Sequence, residues 1–454
     1  MAPTRPQSCA HKRLYTGVSP HATEAGYVYP SIEERLSEAS HSKQPSNYTA
    51  PEDIPSSLTF PAPLVLPGDD IAEDPKQDPD GLRSFALRKG RNRVTSTRST
   101  LYVIEAPTVS NEVSFMNAWL EPKVPPEYPP PPGLPSNLTR PVASDIAAYL
   151  EAFYHGLSIK TLKSHYTFVT WPTAQPSSSG SYVGLADPSG DCTRIRHRPS
   201  PDAVSHQLNL GDLLDALLAA PLPEDAYAVM LLTHHDTYES PSDDFCCGRA
   251  YGASRICLVS SFRYNPALDA HNDVDRSHAW PASHCAWWIE AVCDHEGETS
   301  ESATPAEGGL RAAVLAARSG MVPRGKGGWS AVWLASVCRT ASHELGHCLG
   351  LAHCALYACV MQSTAGVGED GRQPPYLCPV CLAKTAYAVV GEAVKGRGKE
   401  KVVEMERREK VWMVERYRRI QTYSAQWKGT GTGMLKGYGA WAGHRVKELA
   451  ERQS

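Results

Sequence analysis

No apolar run in this chain approaches the length needed to cross a bilayer, and the N-terminal stretch MAPTRPQSCAHKRLYTG lacks the apolar centre of a secretory signal. Both absences argue against a helical membrane span and against export. They point to a protein of the cytoplasm or nucleus that is not secreted. An excess of one charge is also missing, since 45 Lys+Arg against 49 Asp+Glu leaves a net charge of -4. Such a balance calls for neither nucleic acid nor an anionic membrane as partner. The 13 cysteines do not make a disulfide scaffold, because in a chain of 454 residues without a secretion signal they read as metal ligands and buried thiols. A hydrophobic content of 41% suffices for one sizeable core, and the length allows two or three domains.

What is present is concentrated between His343 and His353, in the stretch HELGHCLGLAH. His343 and His347 are four residues apart, so a helix projects both imidazoles from one face towards a single tetrahedral metal. Glu344 lies on the adjoining face, beside the metal, where its carboxylate can take a proton from a zinc-bound water and later give it to a leaving amine. Gly350 can leave the helix with positive φ and turn His353 back as third ligand. The bland alternative, an amphipathic helix with solvated histidines, leaves the co-occurrence of Gly350 and His353 unexplained. The extension x-x-G-x-x-H is that of the metzincins.

Four cysteines follow: Cys354, Cys359, Cys378 and Cys381, with Met361 just after the second. Two pairs of thiolates, C-x-x-x-x-C and C-x-x-C, can enclose a second tetrahedral metal, a closed structural zinc site. The rival reading of Cys378 and Cys381 is a thioredoxin-like redox pair. The whole run, long zinc motif and then four cysteines with a methionine between the second and third, resembles the archaemetzincin family of zinc metallopeptidases. The resemblance implies His343, His347 and His353 on a catalytic zinc, Glu344 as base, the four cysteines on a second zinc, and Met361 as the Met-turn residue. Two Zn2+ per chain follow. Thr233, Asp236 and Tyr238 resemble the family's T-x-x-D-x-Y run, and the segment from Phe60 is similar to the lead-in of fungal members.

The remaining histidines and cysteines read as structural. Cys246, Cys247, Cys257, Cys338 and Cys348 stand in apolar or helical surroundings as small core residues. His284, Cys285, Cys293 and His295 could form a further cluster, but Trp287, Trp288 and Ile289 beside them favour a packed helix. His234 and His235, at a strand end, are assigned no metal.

Along the chain, residues 1–57 are rich in Ser, Pro, His and charge without periodicity and read as a disordered leader. Residues 58–140 form an N-terminal extension that contains a first strand, TLYVIE, and a proline-rich connector. Residues 141–430 are the catalytic domain, with insertions near 172–201 and 294–328. Within it Ile146, Leu150, Phe153 and Leu157 recur at helical spacing, HYTFVTW and AYAVMLLTHHDTY read as strands, and QLNLGDLLDALL as a helix. ASRICLVSSFRYNP resembles the family's strand at the edge of the cleft, able to pair with an extended peptide. The active-site helix runs from about Ser330 to Leu349, with Leu334, Val337, Ala341, Leu345 and Leu349 on its apolar stripe. A charged helix follows, docked through Met413, Tyr417, Ile420 and Trp427, and residues 431–454 read as a mobile tail.

The alternation of strands and helices predicts an α/β fold. The resemblance specifies a metzincin-like catalytic domain with a mixed, mostly parallel sheet, an active-site helix and a zinc-stapled C-terminal subdomain. The expected function is hydrolysis of peptide bonds by a monomer that acts on peptides or proteins, on short peptides or as an aminopeptidase. The alternative is a catalytically silent, metal-stabilised adaptor of the same fold.

Overall fold

The computed structural model describes residues 11–41, 55–77, 80–163, 165–171, 182–294, 303–304, 307–320, 322–396, 398–427 and 432–451. The chain packs as two units, residues 90–272 with 325–350, and residues 1–89 with 273–324 and 351–454. This interleaving replaces the expected sequential boundaries near 140 and 430.

The unit 90–272/325–350 holds a mixed five-stranded sheet in the order Gly248–Tyr251, Ile256–Ser260, Ala226–Thr233, Thr100–Ile104, Ser158–Leu162. Four strands are parallel and Gly248–Tyr251 runs antiparallel along one edge. Ala226–Thr233 is buried along its whole length, as a continuous apolar run covered on both faces requires. The edge is therefore Gly248–Tyr251. Ile256–Ser260, expected at the edge, is an interior strand because its partner precedes it in a stretch too polar to read as a strand. Helix Ala143–Phe153 buries Ile146, Leu150 and Phe153. Leu157 lies beyond that helix, buried in the turn into Ser158–Leu162.

A second, six-stranded sheet in the same unit takes in Tyr182–Ala186 and Cys192–Pro199, paired antiparallel. Residues 182–199 are thus not a surface insertion. Val183, Leu185 and Ile195 alternate into the core beside Leu208 and Leu213, and polar residues on the other face conceal that alternation. Residues 172–181 lie outside the described ones.

The other unit contradicts two expectations. Residues 11–41, read as leader, carry strand Leu14–Tyr15, paired with Ala303–Thr304, and helix Ile32–Glu38, opened by a Ser31/Glu34 capping box. Leu14, Tyr15, Ala22, Tyr27 and Leu36 are buried. These isolated apolar residues form no stripe of their own, so only tertiary partners order them. Residues 1–10 and 42–54 of the leader are outside the described set.

The supposed mobile tail forms helix Gly433–Glu451, packed on Gly309–Ala317 and Gly398–Ala425. Leu435, Tyr438, Trp441 and Leu449 make its buried face. Two glycines of this helix are contact points, since a Cβ on Gly439 would stand 2.7 Å from Ser424 Cβ and one on Gly437 2.9 Å from Pro281 Cγ. Trp441 stacks on Tyr376 at 4.1 Å, and its Nε1 donates to Thr59 O at 3.0 Å. On helix Gly398–Ala425, Tyr417 and Ile420 are buried as expected, with Trp412 in place of its neighbour Met413.

Candidate metal centres

Helix Gly325–Cys348 begins a turn earlier than Ser330, whose hydroxyl instead accepts from Thr139 N at 2.9 Å. Leu334, Val337, Ala341, Leu345 and Leu349 are all buried. Three tyrosines fix the helix by hydrogen bonds from other elements of its unit: Tyr154 to Ser342 O, 2.5 Å, Tyr264 with Thr340 Oγ1, 2.7 Å, and Tyr227 to Cys348 O, 3.2 Å. At its end Gly350 takes φ +91°, with its N–H donating to His347 O at 2.9 Å, so the chain reverses where only glycine does so without strain.

His343 and His347 present their Nε2 atoms to each other at 3.0 Å, rings nearly perpendicular. Two nitrogens each roughly 2.0–2.1 Å from one tetrahedral zinc stand about 3.3 Å apart, so this pair fits the ion. Within the continuous run 343–353, the ligand atoms of His343, His347 and His353 all lie within 4.8 Å of one another. His353 is exposed and the other two are partly exposed, which gives solvent and ligand access.

Glu344 is 6% exposed. Gly248, on the edge strand, lies so close that a Cβ there would be 2.8 Å from Glu344 Oε1. Cys246 is also near, its thiol pushed up to about 12 by burial and then by the Glu344 charge, so it is held as a neutral thiol. Gly252 similarly admits the helix end, its Cβ position being 2.6 Å from His347 O. These neighbours were not legible in the sequence, because the register of Gly248–Tyr251 against the helix is a tertiary fact. A glycine within an edge strand is the one signal they left.

Cys354, Cys359, Cys378 and Cys381 are all buried, with their sulfurs within 4.8 Å of one another. Cys354 Sγ and Cys378 Sγ are 3.6 Å apart. Two thiolates at roughly 2.3 Å from one zinc are separated by about 3.8 Å, so the donor set fits a tetrahedral site. Backbone N–H groups of Met361, Cys378 and Cys381 point at the sulfurs of Cys359, Cys359 and Cys378 at 3.4, 3.3 and 3.5 Å. Hydrogen bonds from the three other thiols hold Cys354 well below the ordinary thiol range. Cys378 also caps helix Pro379–Ala386, whose positive end faces the sulfurs. The buried Lys384, paired with Asp80 at 3.0 Å, adds a compensating cation. Met361 is fully buried in the turn, its carbonyl accepting from Cys354 N at 2.9 Å.

Other sequence candidates take structural places. Asp236 is fully buried and accepts from Arg263, Ser205 Oγ at 2.7 Å and Gln207 Nε2 at 3.0 Å. His234 Nδ1 bonds Ser261 Oγ at 2.8 Å, and burial lowers His235 to about 3. His284 Nε2 faces Ala62 O at 3.3 Å, and His295 lies outside the described residues.

Residues 330–386 match the model of peptidase family M54, a span that runs from the helix through all four cysteines. The chain is similar to the archaemetzincins. It is 26% identical to Archaemetzincin-2 of Mus musculus over 246 residues, 54% of this chain and 53% of that protein. To Archaemetzincin-1 of Homo sapiens it is 25% identical over 284 residues, 62% of this chain and 42% of that one. The chain thus spans about half the length of the curated archaemetzincins it matches. A crystal structure of archaemetzincin from Archaeoglobus fulgidus is 15% identical, with a TM-score of 0.28 over 63% of this chain and 99% of that one. No helix among the described residues is long and apolar enough to cross a membrane.

Proposed function

We propose that this chain is a zinc-dependent peptidase of the metzincin type, with two zinc sites in the 343–381 segment. The observation that carries the reading is the pair of Nε2 atoms 3.0 Å apart on consecutive helical turns, with Glu344 between them in sequence and His353 brought back by Gly350. His343, His347 and His353 hold the catalytic zinc, which when bound polarises a peptide carbonyl and makes water nucleophilic near neutral pH. Glu344 takes the proton of the attacking water and returns it to the departing amine. Its burial against Gly248 and Cys246 keeps the carboxylate aimed and shields it from bulk water. Cys354, Cys359, Cys378 and Cys381 hold the structural zinc, and Met361 is the Met-turn residue tied to Cys354 through its carbonyl. The substrates are peptides, short ones or chains trimmed from the amino end, and the protein works as a cytoplasmic or nuclear monomer.

The test is cleavage of a mixed-sequence peptide library by metal-replete protein, with Glu344→Ala as control. Hydrolysis by the wild type and none by the variant is expected. Equal cleavage by both, or none by zinc-loaded wild type, overturns the reading.

A further inference from the structure

We propose a third metal site, a buried zinc held by His11, His278 and Cys285, distinct from both sites above and independent of the proposed function. The three residues are 6%, 3% and 1% exposed, and their ligand atoms lie within 4.8 Å of one another, the same bound that encloses the other two groups. They belong to one unit, residues 1–89 with 273–324 and 351–454.

His278 supplies the decisive observation. Its Nδ1 bonds Asp275 Oδ2 at 2.8 Å, and its Nε2 is buried with no hydrogen-bond partner. A carboxylate on one ring nitrogen makes that nitrogen the N–H donor and leaves the other a basic lone pair, the arrangement that orients histidines on metals. A buried lone pair without a donor is otherwise costly. The ring is also held flat against Trp288, with centroids 5.0 Å apart and planes at 11°. Its metal-facing nitrogen therefore has one direction.

His11 and Cys285 are brought to it by the backbone. Ala286 N donates to Arg13 O at 3.1 Å, Leu14 bridges Cys285, and Arg311 Nη1 donates to His11 O at 2.8 Å. His11 takes φ +44°, a left-handed conformation that a non-glycine residue adopts at a cost. One thiolate, two imidazoles and a water complete a tetrahedral borderline-soft site, which selects zinc over calcium or magnesium. Zn2+, the Cys285 thiolate and the Asp275 carboxylate sum to zero charge, as a buried site requires. The ion would cross-link the N-terminal segment to the loop 275–286.

The experiment is elemental analysis of full-length protein, loaded with Zn2+ and dialysed against metal-free buffer, as wild type, His278→Ala and Cys285→Ser. One zinc ion more per wild-type chain than in either variant is expected, and equal zinc in all three proteins overturns the proposal. Should the variants not fold, wild-type crystals decide. An anomalous peak at the zinc edge among His11, His278 and Cys285 supports the site, and its absence from zinc-loaded crystals overturns it. Loss of the catalytic or four-cysteine zinc leaves this readout unaffected, so the failure of either reading is recognisable.

Discussion

Glu344 and Gly248 touch, and the contact gives the residue scale its predictions. Glu344→Ala removes the proposed proton acceptor but none of the proposed metal donors. Turnover should fall by about a hundredfold to ten-thousandfold while zinc content and melting temperature stay at wild-type values. Gly248→Ala places a Cβ 2.8 Å from Glu344 Oε1, and the carboxylate, being the end of a flexible side chain, yields before the backbone does. A loss of kcat with unchanged zinc and a nearly unchanged melting temperature is expected. A wild-type kcat would show that the carboxylate finds its working position with the strand displaced. At this scale the juxtaposition of His343 and His347 was readable, because the i, i+4 period alone sets one against the other. The buried surroundings of Glu344 were not.

Elements carry the stability predictions. The loop from Cys354 to Cys381 is fastened by four sulfurs and by N–H groups aimed at them, so Cys378→Ser should lower the melting temperature and release one zinc, since metal binding to thiolates is coupled to folding. The C-terminal helix is fastened by Glu448, which accepts from Thr59 Oγ1 at 2.8 Å and pairs with His444 and Arg445. Burial opposes ionisation of Glu448, but these partners outweigh it and lower its pKa from 4.5 to about 2. The sign follows from linkage: a depressed carboxylate stabilises the fold fully above its unfolded pKa, and that stability is lost as the pH falls from 4.5 towards 2. Glu448→Gln should therefore be less stable than wild type at pH 7, with the gap closing as the pH falls through that window. Urea denaturation at a series of pH values measures it.

On the scale of the whole molecule, residues 11–41 belong to the folded body of their unit. Tyr27 OH donates to Ala355 O at 2.5 Å, the residue after Cys354, and Arg35 lies over the rings of Tyr29 and Tyr357 at 4.3 and 4.7 Å. Removal of residues 1–41 should lower the melting temperature by about 5 °C or more, as five side chains with large or complete burial lose their places. An unchanged melting temperature in a thermal scan would return this segment to the status of a leader.

The two clusters of histidines and cysteines, the apolar stripe of helix Gly325–Cys348 and the buried strand Ala226–Thr233 could be read from sequence alone. The helical and strand features depend on spacing along a single element, where covalent geometry and the period place side chains before any tertiary contact forms, and the His and Cys clusters on motif spacing over a short stretch of chain. Only the tertiary structure decided the rest. It put Gly248 against Glu344, made Ile256–Ser260 an interior strand, turned a glycine-rich tail into a packed helix and gathered His11, His278 and Cys285 in one buried cluster. Those outcomes depend on register and close approach between segments distant in sequence, and local periodicity carries no record of either.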